Sequence, residues 1–200
     1  MSPRQYPAAP LILLATVSSA ACAPLGHGPS PVPLPAYQTH EFGGQLNVPI
    51  MLPLSDGGSL LENGFGSTLW FRHALSTDLE LIIETGSNIE SLIMPYGNVA
   101  LRRYLRGKEE PFSVALEYSL GLLSVDVGLP VALRLGELSV WLTSHPALGY
   151  FYWGWAHIPI GVTARPLDSL EISATAGTFM FSQNFDFLRP ITQFSFSYSW

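Results

Sequence analysis

The chain is expected to be all-β: a closed antiparallel transmembrane β-barrel of about ten strands, within a range of about eight to twelve. Three observations lead there. Apolar and polar residues alternate with period two through successive segments of about nine to eleven residues, the length a tilted strand needs to cross a bilayer. Hydrophobic residues make up 48% of the 200 positions and charged residues only 12%, about half the ~25% usual in soluble domains. Beyond the N-terminus, no uninterrupted apolar run reaches the ~18 residues of a spanning helix. A chain this apolar, with no spanning helix, can satisfy its backbone in lipid only by closing a sheet on itself. The net charge of −6 and the lack of a Lys/Arg cluster exclude nucleic acid as a partner.

Residues 1–21 have the layout of an export signal. Arg4 supplies a thin positive region, Leu11 through Val17 the apolar core, and Ser18–Ala21 a small-residue cleavage site. The only cysteine, Cys22, follows at once, and a single cysteine excludes an internal disulfide. Ser19-Ala20-Ala21-Cys22 resembles a bacterial lipobox, in which the cysteine is acylated and becomes the first mature residue. Ser19 departs from that pattern, where Leu is usual. The resemblance implies lipid attachment at Cys22, and Ala23 after it implies sorting to the outer membrane. From Cys22 to His40 the chain is punctuated by Gly and Pro, with Pro29, Pro31, Pro33 and Pro35 nearly alternating. Such a run favours extended polyproline geometry, and residues 22–40 are expected to form a periplasmic tether to a barrel of residues 41–200.

The strands follow in order. Gln45–Leu52 places Leu46, Val48 and Ile50 on one face. Ser67–Leu75 offers Leu69 and Phe71, and Leu79–Thr85 offers Leu81 and Ile83. Gly97–Leu105 is irregular, because Val99 and Leu101 share a face with Arg103. Phe112–Leu120 is regular, as is Val125–Leu135, where Pro130 predicts a bulge. Leu138–Ser144 is the seventh. The eighth ends at Arg165 with Ile158, Ile160 and Val162 on one face, and Leu170–Phe179 is the ninth. The last is Ile191–Trp200, where Phe194, Phe196, Tyr198 and Trp200 alternate with small polar residues.

Connection lengths give these strands a direction. Outer loops are expected at Pro53–Gly66, Gly86–Tyr96, Leu122–Ser124, about His145–Gly149 or a little beyond, and Met180–Pro190. The opposite turns fall at Ser76–Asp78, Arg106–Pro111, Gly136–Glu137 and Pro166–Ser169, mostly tighter. Alternating short and long connections with an even strand number suit a membrane barrel. They leave the first strand's start and Trp200 at the same rim.

Charge placement agrees with this phase. Glu80, Glu84, Glu117, Asp126, Arg134, Arg165 and Glu171 all fall opposite the apolar face of their strand, and are expected to form a polar network in the lumen. Tyr150-Phe-Tyr-Trp-Gly-Trp155 is the densest aromatic run. Phe151, Trp153 and Trp155 point inward on the strand's phase and are candidates for a ligand-binding mouth. Of the five histidines, His73, His145 and His157 stand apart from any second ligand at metal spacing. No metal or cofactor is expected, and none of the three is followed by the His-x-Ser pattern of lipid A deacylases.

The final segment, Phe194-Ser-Phe-Ser-Tyr-Ser-Trp200, resembles the C-terminal strand of bacterial outer-membrane β-barrels. That resemblance implies outer-membrane lipids as surroundings, the barrel-assembly machinery as a transient partner, and a periplasmic position for Trp200 and the N-terminus. The function this implies is a structural or small-ligand surface barrel without catalysis. Its rivals are a narrow channel, a lipid-modifying enzyme acting through His145 or His157, and a soluble periplasmic β-barrel lipoprotein.

Overall fold

Period-two alternation becomes a closed wall. The computed structural model describes residues 28–49, 66–88, 94–106, 111–121, 124–137, 139–150, 154–181 and 189–200. The strand segments are β1 (His40–Pro49), β2 (Gly66–Ala74), β3 (Leu79–Asn88), β4 (Met94–Arg106), β5 (Phe112–Gly121), β6 (Val125–Gly128) and β7 (Val131–Arg134). They continue with β8 (Val140–Ser144), β9 (Ala147–Tyr150), β10 (Gly154–Leu167), β11 (Leu170–Phe181) and β12 (Arg189–Ser199). All pairings are antiparallel. β12 pairs with both β11 and β1, so the last strand seals against the first, with Leu46 opposite Phe194 and Phe42 opposite Tyr198.

Two barrel strands are interrupted. β5 pairs with both β6 and β7, and β10 with both β8 and β9. The segments therefore form a closed barrel of ten strands. The breaks face each other: the Leu129 N–H donates to the Pro146 carbonyl at 2.8 Å, and Ala115 N–H donates to the Pro130 carbonyl at 2.9 Å. Proline has no N–H to give the ladder, so each strand breaks there and resumes. The interruption expected at Pro130 is present. Within the loop expected at about His145–Gly149 or a little beyond, Ala147 to Tyr150 rejoin the sheet opposite His157 to Gly154, and residues 151–153 lie outside the described residues. The first strand also begins earlier than expected, at His40.

The turns at the Trp200 rim are short. Gly136, with φ of 65°, supplies the left-handed residue of the turn between β7 and β8. At the same rim the Trp200 carbonyl accepts N–H bonds from Thr39 and His40, both at 3.0 Å. The rings of His40 and His73 stack at 4.6 Å, with Trp200 5.6 Å from His40.

Polarity is inverted relative to a water-soluble domain. The four alternating aromatics of the C-terminal strand all face outward, Phe196 at 65% exposure. On β5, Glu117 is 1% exposed and its neighbour Tyr118 55%. Outward positions are mostly Leu, Val, Ile, Phe and Tyr; inward positions are mostly Glu, Arg, Asn, Ser and Thr, with small or aromatic residues such as Ala115 and Trp70 among them. Arg103, the misfit of the fourth strand, points outward at 70% exposure. It sits at the rim, 3.7 Å from Asp78 in the adjacent turn.

The Pro-rich stretch requires a correction. Cys22 to His27, like the export signal, lie outside the described residues, but Gly28 to Leu34 are all buried. They run inside the barrel, with Val32 and Leu34 each 1% exposed. Gly28 to Leu34 are thus an arm filling the lumen rather than part of a periplasmic tether, while Ala36 and Tyr37 are exposed.

Candidate functional site

Charge pairs in the lumen because Arg72 and Arg102 each face a carboxylate across the ladder. Arg72 lies opposite Glu41, and Arg102 lies opposite both Glu80 and Glu117. Directly opposed side chains start about 4.5–5.5 Å apart at Cβ, within easy reach of a guanidinium. Arg72 Nη2 donates to Glu41 Oε2, and its Nη1 lies 3.7 Å from Glu80. Trp70 Nε1 donates to the other Glu41 oxygen at 2.9 Å, and the Tyr104 hydroxyl donates to Glu80 at 3.2 Å. Arg102 Nε donates to Glu117 at 2.7 Å, and His145 Nε2 stands 3.4 Å from the second Glu117 oxygen. Arg165 donates to Glu171 at 2.7 Å across the β10–β11 hairpin.

The arm is bonded to this network through its backbone. The Arg102 guanidinium donates to the carbonyls of Ser30 at 2.8 Å and Pro29 at 3.3 Å. Arg72 Nη1 donates to the Ser30 and Val32 carbonyls at 3.3 and 3.1 Å. Arg165 donates to the Pro33 carbonyl at 3.1 Å. Two of the four N–H groups left in Gly28–Leu34 are met by side chains, Gly28 on Glu84 at 2.8 Å and Val32 on Ser30 Oγ at 3.1 Å.

This explains the alternating prolines. A single extended segment inside a barrel has no strand partner, and each unmet buried N–H would cost about 1–3 kcal/mol. Pro29, Pro31, Pro33 and Pro35 remove the donors, leaving mostly carbonyls. Carbonyls are what three arginines can satisfy.

The sequence-expected lumen residues sort cleanly. Glu80, Glu84, Glu117, Asp126 and Glu171 are buried, and Arg165 nearly so. Arg134 is a correction: it is exposed at the end of β7, its guanidinium 5.9 Å from the Trp141 ring. Inward phase means burial only below the rim, and the last residue of a strand lies beyond it.

Trp155 faces inward as expected, but it is 4% exposed and lies over Gly149, its cross-strand partner. It lines the wall and is not open as a mouth; Phe151 and Trp153 lie outside the described residues, as does Cys22. Phe194, Phe196, Tyr198 and Trp200 all lie on the outer face.

Sequence reasoning passed over Glu41, Arg72 and Arg102. The phase of their strands carried the signal: Arg72 alternates against Leu69 and Phe71, and Arg102 against Val99 and Leu101. Glu41 fell before the expected start of β1. Among the described residues, six carboxylates (Glu41, Glu80, Glu84, Glu117, Asp126, Glu171) line the lumen against the guanidiniums of Arg72, Arg102 and Arg165.

Space beside the arm is small. A cavity of about 30 Å³ lies between Pro29–Pro31 and the side of the wall that carries His145 and His157. That volume holds about one or two waters. Both histidines are buried, so neither meets a lipid-sized substrate. Among the described residues, no group of three or more His, Cys, Asp or Glu is placed to hold a metal.

No family model matches the chain, and no curated protein matches it. Solved structures that superpose on it include the N-terminal β-barrel domain of Pseudomonas aeruginosa OprF, at 7% identity and TM-score 0.39. That match covers 82% of this chain and 98% of the other. The Acinetobacter baumannii outer membrane protein Omp33 gives the same four values. The Yersinia pestis attachment invasion locus protein Ail, crystallised with a heparin analogue, gives 16% identity and TM-score 0.36, over 81% and 96% of the two chains. At such distances the likeness transfers nothing, and the chain is placed by its own closed sheet and inverted polarity.

Proposed function

We propose that the protein is an integral β-barrel of the bacterial outer membrane whose lumen is closed by its own N-terminal arm. Its role is structural or one of small-ligand binding at the surface, played at the outer loops. The observation that carries this reading is the inversion of polarity: apolar side chains outward on every barrel strand, paired charges inward. In water such an exterior would be a continuous apolar surface far beyond what soluble monomers tolerate, which counts against the soluble lipoprotein alternative. In lipid it is the required face. Trp200 and the short turns then belong at the periplasmic rim, in keeping with the resemblance of the C-terminal strand to an assembly signal. The filled lumen favours a surface role over open transport, and the burial of His145 and His157 counts against lipid chemistry. A barrel of ten strands is narrow enough to be filled by side chains and one added segment, whereas aqueous channels appear at about sixteen strands.

Heat-modifiable migration of the detergent-extracted protein tests the membrane reading. A folded barrel should run faster unheated than boiled. Release into buffer without detergent, with no shift on heating, would refute it.

A second reading, a gated channel, rests on the six carboxylates facing three guanidiniums around a segment that is not part of the sheet. With the arm displaced, that lumen would favour cations.

A further inference from the structure

We propose that His40 and His73 form a binding site for a divalent transition-metal ion on the outer face of the Trp200 rim, with the Thr39 carbonyl as a third donor. Neither histidine has a metal-ligating neighbour along the chain. The register of β1 on β2 supplies one, because His40 lies directly opposite His73. The site stands outside the lumen, and it does not depend on which side of a membrane this rim faces.

Both side chains follow the phase of their strands. Glu41 and Arg72, their neighbours on β1 and β2, point into the lumen at 1% and 0% exposure. His40 and His73 therefore point out, each half-buried. Directly opposed residues start about 4.5–5.5 Å apart at Cβ, and here the two Nδ1 atoms meet at 3.1 Å. The Thr39 carbonyl oxygen stands at 3.1 Å from His73 Nδ1 as well. Trp200 and Phe71 pack on the His40 ring, with centroids 5.6 and 5.7 Å away. An interfacial girdle needs only rings at the membrane boundary. It does not need two ring nitrogens aimed at each other.

These distances suit a shared ion. At the ~2.0–2.1 Å of a zinc–imidazole bond, two ligand atoms lie about 2.8–3.0 Å apart at a right angle and about 3.3–3.4 Å apart at the tetrahedral angle. Both measured contacts fall between those values, so little movement is needed. Imidazole suits copper, nickel and zinc, whereas magnesium and calcium take oxygen ligands. A carbonyl can only accept, so the Nδ1 proton belongs to His73, shared between Thr39 and the His40 nitrogen. When the ion binds, that proton moves to Nε2, leaving both rings neutral and both Nδ1 lone pairs on the metal. The ion would tie β1 to β2 beside the Trp200 carbonyl, which already holds the Thr39 and His40 N–H groups at 3.0 Å. It would thus clamp the seam where the last strand meets the first.

The test titrates the untagged, folded full chain in detergent with Cu²⁺ alone, followed by electron paramagnetic resonance, with Mg²⁺ as the hard-ion control. The expected result is one tightly held Cu²⁺ per chain, bearing two imidazole nitrogens and not displaced by excess Mg²⁺. His40→Phe and His73→Phe keep a ring in the stack and remove its nitrogens. Each should weaken binding by about a hundredfold or more, because the second imidazole no longer binds intramolecularly, while the far-ultraviolet circular dichroism stays that of the parent. Cys22→Ser and His27→Ala should leave the affinity unchanged. Loss of binding in either of those two, or parental affinity in either Phe variant, overturns the site. Should a Phe variant fail to fold, the nitrogen count in the parent decides: two imidazoles on Cu²⁺ support the site, and one or none refutes it.

Discussion

Arg72 reaches from the barrel wall to the carbonyl of Val32, 3.1 Å away, while its other Nη holds Glu41 of β1. One guanidinium thus ties the wall to itself and to the arm. Its five donors in a rigid fork make this double use practical, which an ammonium could not match. Arg102 does the same between Glu117 and the Ser30 carbonyl.

Arg102→Met should therefore destabilise the folded barrel by about 3–5 kcal/mol, the usual cost of removing one partner from a buried ion pair. Glu117 would lose its guanidinium partner, the Pro29 carbonyl its donor, and the Ser30 carbonyl one of its two donors. Arg102→Lys should recover part of the loss, since a point charge can serve Glu117 but not all three acceptors. Urea unfolding in lipid vesicles measures both, and equal stability of the Met variant and the parent would refute the assigned role.

Deleting Gly28–Pro35 should leave a barrel that still folds, because no strand pairing uses those residues. It should also open the lumen. In planar bilayers the full chain is expected to be silent and the deletion to conduct with a preference for cations. Silent bilayers from a deletion that keeps heat-modifiable migration would show that the arm is not what closes the barrel.

Gly43 lies across the β1–β2 ladder from Trp70, whose indole covers it. A Cβ at residue 43 would fall inside the ring. Gly43→Val should cost about 1–3 kcal/mol through overpacking, and it should push Trp70 toward Gly28 in the arm. The near-ultraviolet circular dichroism of Trp70 should weaken; an unchanged spectrum would mean the indole has room elsewhere.

Outward residues should respond according to depth. Ile160, midway along β10 and 60% exposed, should cost about 2–4 kcal/mol when replaced by Arg, as for a charge at the bilayer midplane. Arg103→Ala, at the rim, should change stability by less than about 0.5 kcal/mol, since its pair with Asp78 is exposed. Comparable effects at the two positions would contradict the lipid-facing assignment.

The alternation of Phe194, Phe196, Tyr198 and Trp200 was enough, without coordinates, to tell which side chains face out. The same holds for Glu117 against Tyr118, and for the break at Pro130. Side-chain direction in a strand is a local, period-two property, and proline's missing N–H is local too. The sequence could not reveal what the alternating prolines are for, because an exposed polyproline linker and a buried donor-free arm share one composition. Only the closed barrel brings Arg72, Arg102 and Arg165 to bear on the carbonyls of Pro29 to Pro33, from strands far apart in the chain. Tertiary structure likewise left Arg134 in solvent at the rim and laid Trp155 over Gly149. The distinction is physical: facing inward is decided residue by residue, but what waits inside depends on which strands close around it.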